Sequence, residues 1–163
     1  MKKILLISDT HGYFDKKIIK YANKVDEIWH AGDIGDISVT DKLKKIKPLR
    51  GVYGNIDDQK IRTEFPLRNR FICEKVNVWI THIGGYPKRY NPKILEELKS
   101  NPPDLFICGH SHILKVINDK ELDLLHMNPG AIGKYGLHRV RTMIQFEING
   151  KKIENLSVIE FER

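Results

Sequence analysis

Met1-Lys-Lys-Ile4-Leu-Leu-Ile7-Ser-Asp9-Thr-His11-Gly12 opens the chain: four consecutive apolar residues, then a carboxylate and an imidazole two positions apart. A continuous apolar run such as Ile4 to Ile7 makes a strand buried on both faces. Ser8 ends the run. If extended backbone persists as far as His11, Asp9 and His11 project to the same side, so a rigid strand end delivers both groups together. The arrangement recurs along the chain. Glu27 to His30 leads into Ala31-Gly32-Asp33, and Leu49 to Tyr53 into Gly54-Asn55. Val76 to Thr81 leads into His82, and Leu105 to Cys108 into Gly109-His110-Ser111-His112.

What lies between these runs sets the fold. Asp15 to Asn23 places Ile18, Ile19 and Ala22 at helical spacing, with Asp15 as N-cap. Ser38 to Lys47 reads as a second helix, capped by Ser38 and stopped by Pro48. Strand, helix, strand, helix, strand predicts parallel pairing through right-handed crossovers. Phe71 to Cys73 and Val76 to Thr81 then flank a polar Glu74-Lys75, which predicts an antiparallel hairpin. Gly84 to Pro87 reads as a loop. A helix opens at Asn91 or Pro92 and runs to Lys99, with Ile94, Leu95 and Leu98 on one face, before Pro102-Pro103.

Beyond Cys108, strands are expected at Leu114 to Ile117, Leu122 to His126 and Thr142 to Ile148, with a loop at Asn128-Pro129-Gly130. An Asn149-Gly150 turn and Ile153 to Phe161 close the chain as a hairpin. Early crossovers and late antiparallel strands suit two mixed sheets packed face to face with helices outside. The expectation is a four-layer α/β/β/α sandwich, one domain over residues 1–163.

Composition narrows the function classes. The 163 residues are 40% hydrophobic and 30% charged, ordinary for a soluble globular protein. No run approaches the roughly 20 apolar residues that a membrane span needs. Lys2-Lys3 before four apolar residues is too short for a signal peptide, so a cytoplasmic protein is expected. Cys73 and Cys108 sit in strand-like runs without C-x-x-C spacing and read as buried hydrophobes. The net charge of +7 comes from lysines spread through Lys16-Lys17, Lys42 to Lys45 and Lys151-Lys152. They read as solvated faces that attract small phosphorylated substrates, not as a nucleic-acid footprint.

The strand ends supply two carboxylates, one amide and four imidazoles, with no thiolate. Singly, each has an ordinary alternative: Asp33 as a helix cap, Asn55 as a left-handed turn residue. Five such ends in one domain argue for a shared site. One ion would not use seven groups, whereas two ions can share them across a bridging carboxylate. The N/O set suits Mn²⁺, Fe²⁺, Ni²⁺ or Zn²⁺, and argues against Ca²⁺ and against a cysteine-closed zinc site. Two ions roughly 3.5–4 Å apart serve phosphoryl chemistry.

Asp9-x-His11, Gly32-Asp33-x-x-Asp36, Gly54-Asn55-x-Asp57, His82 and Gly109-His110-x-His112 together resemble the ordered signature of calcineurin-like metallophosphoesterases. Asn55-Ile56-Asp57 and Asn128-Pro129-Gly130 are similar to its small bacterial and archaeal phosphodiesterase group. The resemblance implies a dinuclear site, Mn²⁺ or Ni²⁺ before Zn²⁺ or Fe²⁺, in which Asp33 bridges. Asp9, His11 and His112 would complete one site, and Asn55, His82 and His110 the other. Asp33, Asn55 and His110 would serve the catalytic step, in-line attack by a hydroxide held between the ions. Asp36, Asp57 and Asn128 are supporting candidates.

Two departures matter. Larger phosphoprotein phosphatases carry a His-Glu pair where Ile56 and Asp57 stand, so no side chain there protonates a leaving group. That favours activated or low-pKa leaving groups, or protonation by water, over phosphoprotein substrates. With no large insertion to form a cap or a nucleic-acid groove, small phosphodiesters are the expected substrates. Thr81 also replaces the usual glycine before His82. His30 and His126 read as packed histidines, His138 as surface, and Lys134 and Arg89 as solvated cations. A homodimer is expected by default. The competing expectation is a protein-interaction scaffold with weak or no catalysis, like the similar retromer subunit.

Overall fold

The computed structural model describes residues Met1–Arg163. One sheet is built from β1 (Lys2–Ile7), β2 (Glu27–His30), β3 (Leu49–Gly51), β11 (Val140–Asn149) and β12 (Lys152–Glu162), in the order β12-β11-β1-β2-β3. The other contains β4 (Arg68–Cys73), β5 (Val76–Thr81), β8 (Leu105–Ile107), β9 (Leu114–Asp119) and β10 (Leu124–Pro129), in the order β4-β5-β8-β10-β9. Both are mixed. β1, β2 and β3 pair in parallel, as do β5, β8 and β10, while β11, β12, β4 and β9 pair antiparallel.

Layering follows from alternation along β1. Ile4 and Leu6 point into a cluster between the sheets with Val78, Ile80, Leu105 and Ile107. Leu5 and Ile7 point the other way, against the helical layer that supplies Ile18, Leu43 and Ile61. All four are fully buried, which is why the run is continuously apolar instead of alternating. Truncating Ile4 or Leu6 to Ala is expected to cost roughly 2–5 kcal/mol. Trp29 joins the central cluster and donates its indole N–H to Glu27 Oε2 at 3.0 Å, so its polar atom is satisfied. On the far face of the second sheet, Trp79 and Phe106 pack against Ile94 and Leu98. The four-layer α/β/β/α sandwich is therefore the architecture.

The helices are α1 (Lys17–Ala22), α2 (Ile37–Lys44), α3 (Gln59–Glu64) and α4 (Pro92–Ser100). Four local expectations need correction. α1 begins after Lys16, and the Asp15 carboxylate accepts from Lys17 N at 2.9 Å while also pairing with Arg141; Ile19 is exposed, not packed. α2 is capped by Asp36, whose Oδ1 accepts from Ser38 N at 2.8 Å, so Ser38 lies inside the helix. The segment from Gly84 to Pro87 is not plain loop. β6 (Gly85–Tyr86) and β7 (Arg89–Tyr90) form a two-residue ribbon there. Asn128 and Pro129, expected in a loop, are the last residues of β10. Cys73 and Cys108 are free and buried, and no helix is long and apolar enough to cross a membrane.

Candidate metal centre

β1, β2 and β3 in one sheet and β5 and β8 in the other end on the same edge of the sandwich, where their loops meet. Gly109 N donates to His82 O at 3.0 Å within the second sheet, and His110 N donates to Asp9 Oδ2 at 3.2 Å, which ties the two sheets together. Gly109 has to be glycine. A Cβ would lie 2.2 Å from Ser8 Oγ and 2.9 Å from Asp9 Oδ2.

Extended backbone does not persist past Ile7, contrary to expectation. Asp9 and His11 have φ of 55° and 44°, both left-handed. They converge through that turn, not through strand alternation. Asp33, His110 and His112 also have positive φ, at 54°, 73° and 63°. A left-handed conformation at a residue with a Cβ is costly and persists only where its surroundings enforce it.

The side chains face one another at short range. His112 Nε2 lies 3.2 Å from Asp9 Oδ1, and His82 Nε2 lies 3.2 Å from Asp33 Oδ2. His11 Nε2 is 3.4 Å from Asp33 Oδ2 and 3.7 Å from Asp9 Oδ1. Two triads result, Asp9–His11–His112 and Asp33–His82–His110, each with donor atoms within 4.8 Å of one another. Asp33 Oδ2 touches one histidine of each triad.

Other atoms of these groups are already engaged, which aims the remaining ones. Asp9 Oδ2 accepts from Ser8 Oγ at 2.6 Å, and Asp33 Oδ1 accepts from Ile56 N at 3.2 Å. His82 Nδ1 lies 2.8 Å from Ala31 O, so it carries the proton and leaves Nε2 with a lone pair. Asp9 Oδ1, His11 Nε2 and His82 Nε2 are buried without a hydrogen-bond partner. Unpaired buried polar atoms are expensive unless a ligand satisfies them. Donors around one ion at about 2.1 Å are spaced by about 3.0–3.4 Å, so the residues present fit divalent cations.

Electrostatics agree. Burial would raise the Asp9 and Asp33 carboxyls. The facing histidines outweigh it, His11 and His112 for Asp9, His11 and His82 for Asp33, and hold both well below the usual carboxylate range. In return, Asp33 and Asp9 push the His11 imidazole up to about 9. Burial, followed by repulsion from His82, pushes His110 down. A field that favours a proton on His11 favours a cation in its place.

The other expected residues fall into three groups. Asn55 is exposed beside His82 on a cavity of about 290 Å³, with its carbonyl accepting from Arg62 Nη2 at 3.2 Å. Asp57 is buried and accepts from Ile34 N, Gly35 N and Gly54 N at 3.1, 2.7 and 2.7 Å, clamping the Asp33 loop to the Asn55 loop. Asn128 donates to Gly109 O and Ser111 Oγ at 3.0 and 3.1 Å and so fastens the His110–His112 turn. Asp36 caps α2 and makes no hydrogen bond to the donor set.

His30 is packed: Gly32 N donates to its Nδ1, its Nε2 meets Thr10 Oγ1, and burial pushes it down to about 4. His126 is also buried and pushed down to about 4. His138, expected at the surface, is half-buried instead, its ring 5.2 Å from that of His112. Sequence reasoning also passed over Ser8 and Tyr135; Tyr135 stacks on His11 with ring centroids 4.8 Å apart.

Residues 1–151 match the family model of the calcineurin-like phosphoesterase superfamily domain. A probable metallophosphoesterase of Methanocaldococcus jannaschii is 31% identical over 134 residues, covering 77% of this chain and 66% of that protein, just under two thirds of its length. Another, from Mycoplasma pneumoniae, is 30% identical over 149 residues, covering 83% and 87%. Among solved structures, Vps29 of Chaetomium thermophilum superposes with a TM-score of 0.78 at 19% identity, over 99% of this chain and 97% of that one. An archaeal phosphodiesterase does so at 0.75 and 24%, over 96% and 99%. These two likenesses concern the fold. With the family model spanning nearly the whole length, the chain belongs to the calcineurin-like phosphoesterase superfamily.

Proposed function

We propose that this chain is a metal-dependent phosphodiesterase that hydrolyses small phosphodiesters at a dinuclear centre. The observation that carries the reading is the pair of facing triads, whose unpartnered atoms on Asp9, His11 and His82 turn towards one another. Asp33 is the natural bridge, since its Oδ2 reaches a histidine of each triad. Asp9, His11 and His112 would hold one ion, and Asn55, His82 and His110 the other. The mixed N/O set suits manganese or nickel, with zinc or iron also compatible. Two divalent ions, when bound, supply an activated water at neutral pH and offset charge on the phosphoryl oxygens.

The chain's own residues do the positioning. Ser8 Oγ and Ile56 N each occupy one carboxylate oxygen and so fix the direction of the other. Asp57 keeps the Asp33 and Asn55 loops at constant separation. Ile56 is exposed where an ionisable neighbour would be needed to protonate a leaving group. Esters whose leaving groups depart as stable anions are therefore the better substrates. The +7 net charge favours capture of anionic esters.

The test is to strip the protein of metal, restore Mn²⁺, Ni²⁺, Zn²⁺ or Mg²⁺, and assay bis(p-nitrophenyl) phosphate beside p-nitrophenyl phosphate. Metal-dependent turnover with the diester preferred is expected, and Asp33→Ala abolishes it. Undiminished turnover in that variant excludes Asp33 as the bridge. No turnover with any metal turns the reading to a non-catalytic scaffold.

A further inference from the structure

A cavity of about 860 Å³ opens beside the donor set on the His112 side, walled by Ser111, Ile113, Tyr135, Leu137 and His138 as well as His112 itself. Lys134 and Arg163 also line it, and three apolar side chains stand exposed along its rim. Tyr135 is 69% exposed, Leu137 98% and Ile113 59%. One face of the Tyr135 ring lies on the His11 imidazole at 4.8 Å and 29°. The ring meets no other aromatic group and no cation, so its outer face is free. Tyr86, the exposed aromatic beside the His110 groove, differs: Lys115 Nζ sits 3.9 Å over its ring.

The segment carrying Tyr135 is built into place. Ile132 N and Gly133 N donate to Ser8 O and Asp9 O, both at 3.1 Å. Arg163 donates to His138 O at 2.7 Å and to Lys134 O at 2.9 Å, anchoring the far side. A Cβ at Gly136 would lie 2.4 Å from His112 Nδ1, so the loop backbone rests on that imidazole. An aromatic platform is thus held rigidly against the donor set, with an exposed apolar strip extending from it.

We propose that this groove is a subsite for one ester arm of the substrate, that Tyr135 is its specificity-determining residue, and that the arm it takes is aromatic, a nucleobase or aryl ring stacking on the free face. The inference rests on the phosphodiesterase reading and names the class of substrate that reading left open. Continuity supports it: His112 belongs both to the donor set and to the cavity wall, so a phosphoryl group at the centre places one arm in the groove. A cavity of this size suits a small ligand, and every nucleobase has a π-face to stack whatever its hydrogen-bonding edge.

The probes are phenylphosphonate and methylphosphonate, which share the metal-binding head and differ in the ring. Calorimetric titration into Mn²⁺-loaded protein is expected to show phenylphosphonate binding about 5- to 100-fold more tightly. Tyr135→Ala removes that difference through phenylphosphonate alone, and Tyr135→Phe retains it. On bis(p-nitrophenyl) phosphate the Ala variant raises KM with little change in kcat. Equal wild-type affinities for the two phosphonates overturn the inference, as does equal weakening of both in Tyr135→Ala. Weaker Mn²⁺ binding by that variant also overturns it, because Tyr135 would then be only a prop for His11. Turnover that persists while the phosphonates bind alike sinks the subsite alone. No turnover with any metal and no binding of either phosphonate sinks the phosphodiesterase reading and the subsite together.

Discussion

The two edges of the sandwich are built by opposite rules. At the donor edge, five of the chain's nine non-glycine residues with positive φ are Asp9, His11, Asp33, His110 and His112, and buried polar atoms there go unpaired. At the opposite edge, ordinary turn chemistry prevails. Glu74 takes its positive φ in the β4–β5 turn and pairs with the N-terminus. Lys75 N donates to Gly150 O at 3.0 Å, and Asp104 Oδ2 accepts from Asn77 N at 2.8 Å. Strain and unmet hydrogen-bonding capacity are concentrated where a ligand would relieve them. The rest of the chain holds that edge in place.

That contrast can be broken most sharply at Asp33. Asp33→Ala is expected to lower metal-dependent turnover on the order of 10³-fold or more, while the circular dichroism spectrum stays that of the native fold. A matched pair of glycines comes next. Gly54→Ala drives a Cβ to 2.0 Å from Asp33 Oδ1, whereas a Cβ on Gly150 meets nothing within 4 Å. Calorimetry should show Gly54→Ala weakening Mn²⁺ about 10- to 100-fold. Gly150→Ala, at φ of 62°, should cost about 1 kcal/mol of stability and leave metal affinity unchanged. Equal effects on metal binding would erase the distinction between the edges.

Asp57→Asn weakens the clamp on three backbone N–H groups and should lower Mn²⁺ affinity by about 10-fold, read in the same titration. A thermal shift provides a further measure. At about 100 times its Kd, Mn²⁺ should add about 2.7 kcal/mol. That raises Tm by several degrees, and the gain should vanish with Asp33→Ala.

The buried histidines outside the donor set offer a test through pH instead of through metal binding. His30 and His126 are held neutral, pushed down to about 4 from an ordinary 6.5. Between those values the unfolded chain binds protons that the folded chain refuses, so stability falls as pH drops from about 6.5 to about 4. Each histidine contributes about 3 kcal/mol over that window. His126→Phe should flatten the acid limb of a urea-denaturation series, with Mn²⁺ affinity at neutral pH unchanged.

Much of this was legible in the amino-acid order. Strands buried on both faces must be apolar throughout, so Ile4 to Ile7 and Leu105 to Cys108 declared themselves, and the groups after them marked where the loops converge. α3 did not, because Gln59 to Glu64 offers a single apolar residue, Ile61, and no helical period. Asp36 and Ser38 are both competent caps, and only the turn geometry chose between them. The contacts of Tyr135 with His11 and of His138 with His112 span large separations from a segment without periodicity, so nothing local foretold them. Asp9 and His11 were rightly placed near each other for the wrong reason, since a left-handed turn does the work assigned to strand alternation.

Gly109 against Ser8 and His110 N on Asp9 make the donor edge a seam between halves of the polypeptide. Asp9, His11, Asp33 and Asn55 arrive with the first sheet, whereas His82, His110 and His112 arrive with the second. During synthesis neither half alone can assemble the full set, so any metal that needs all of it would have to await emergence of the chain beyond residue 112 and closure of one sheet on the other. On the proposed dinuclear reading the ions would act as rivets, and a chelator would loosen the joint as well as stop turnover.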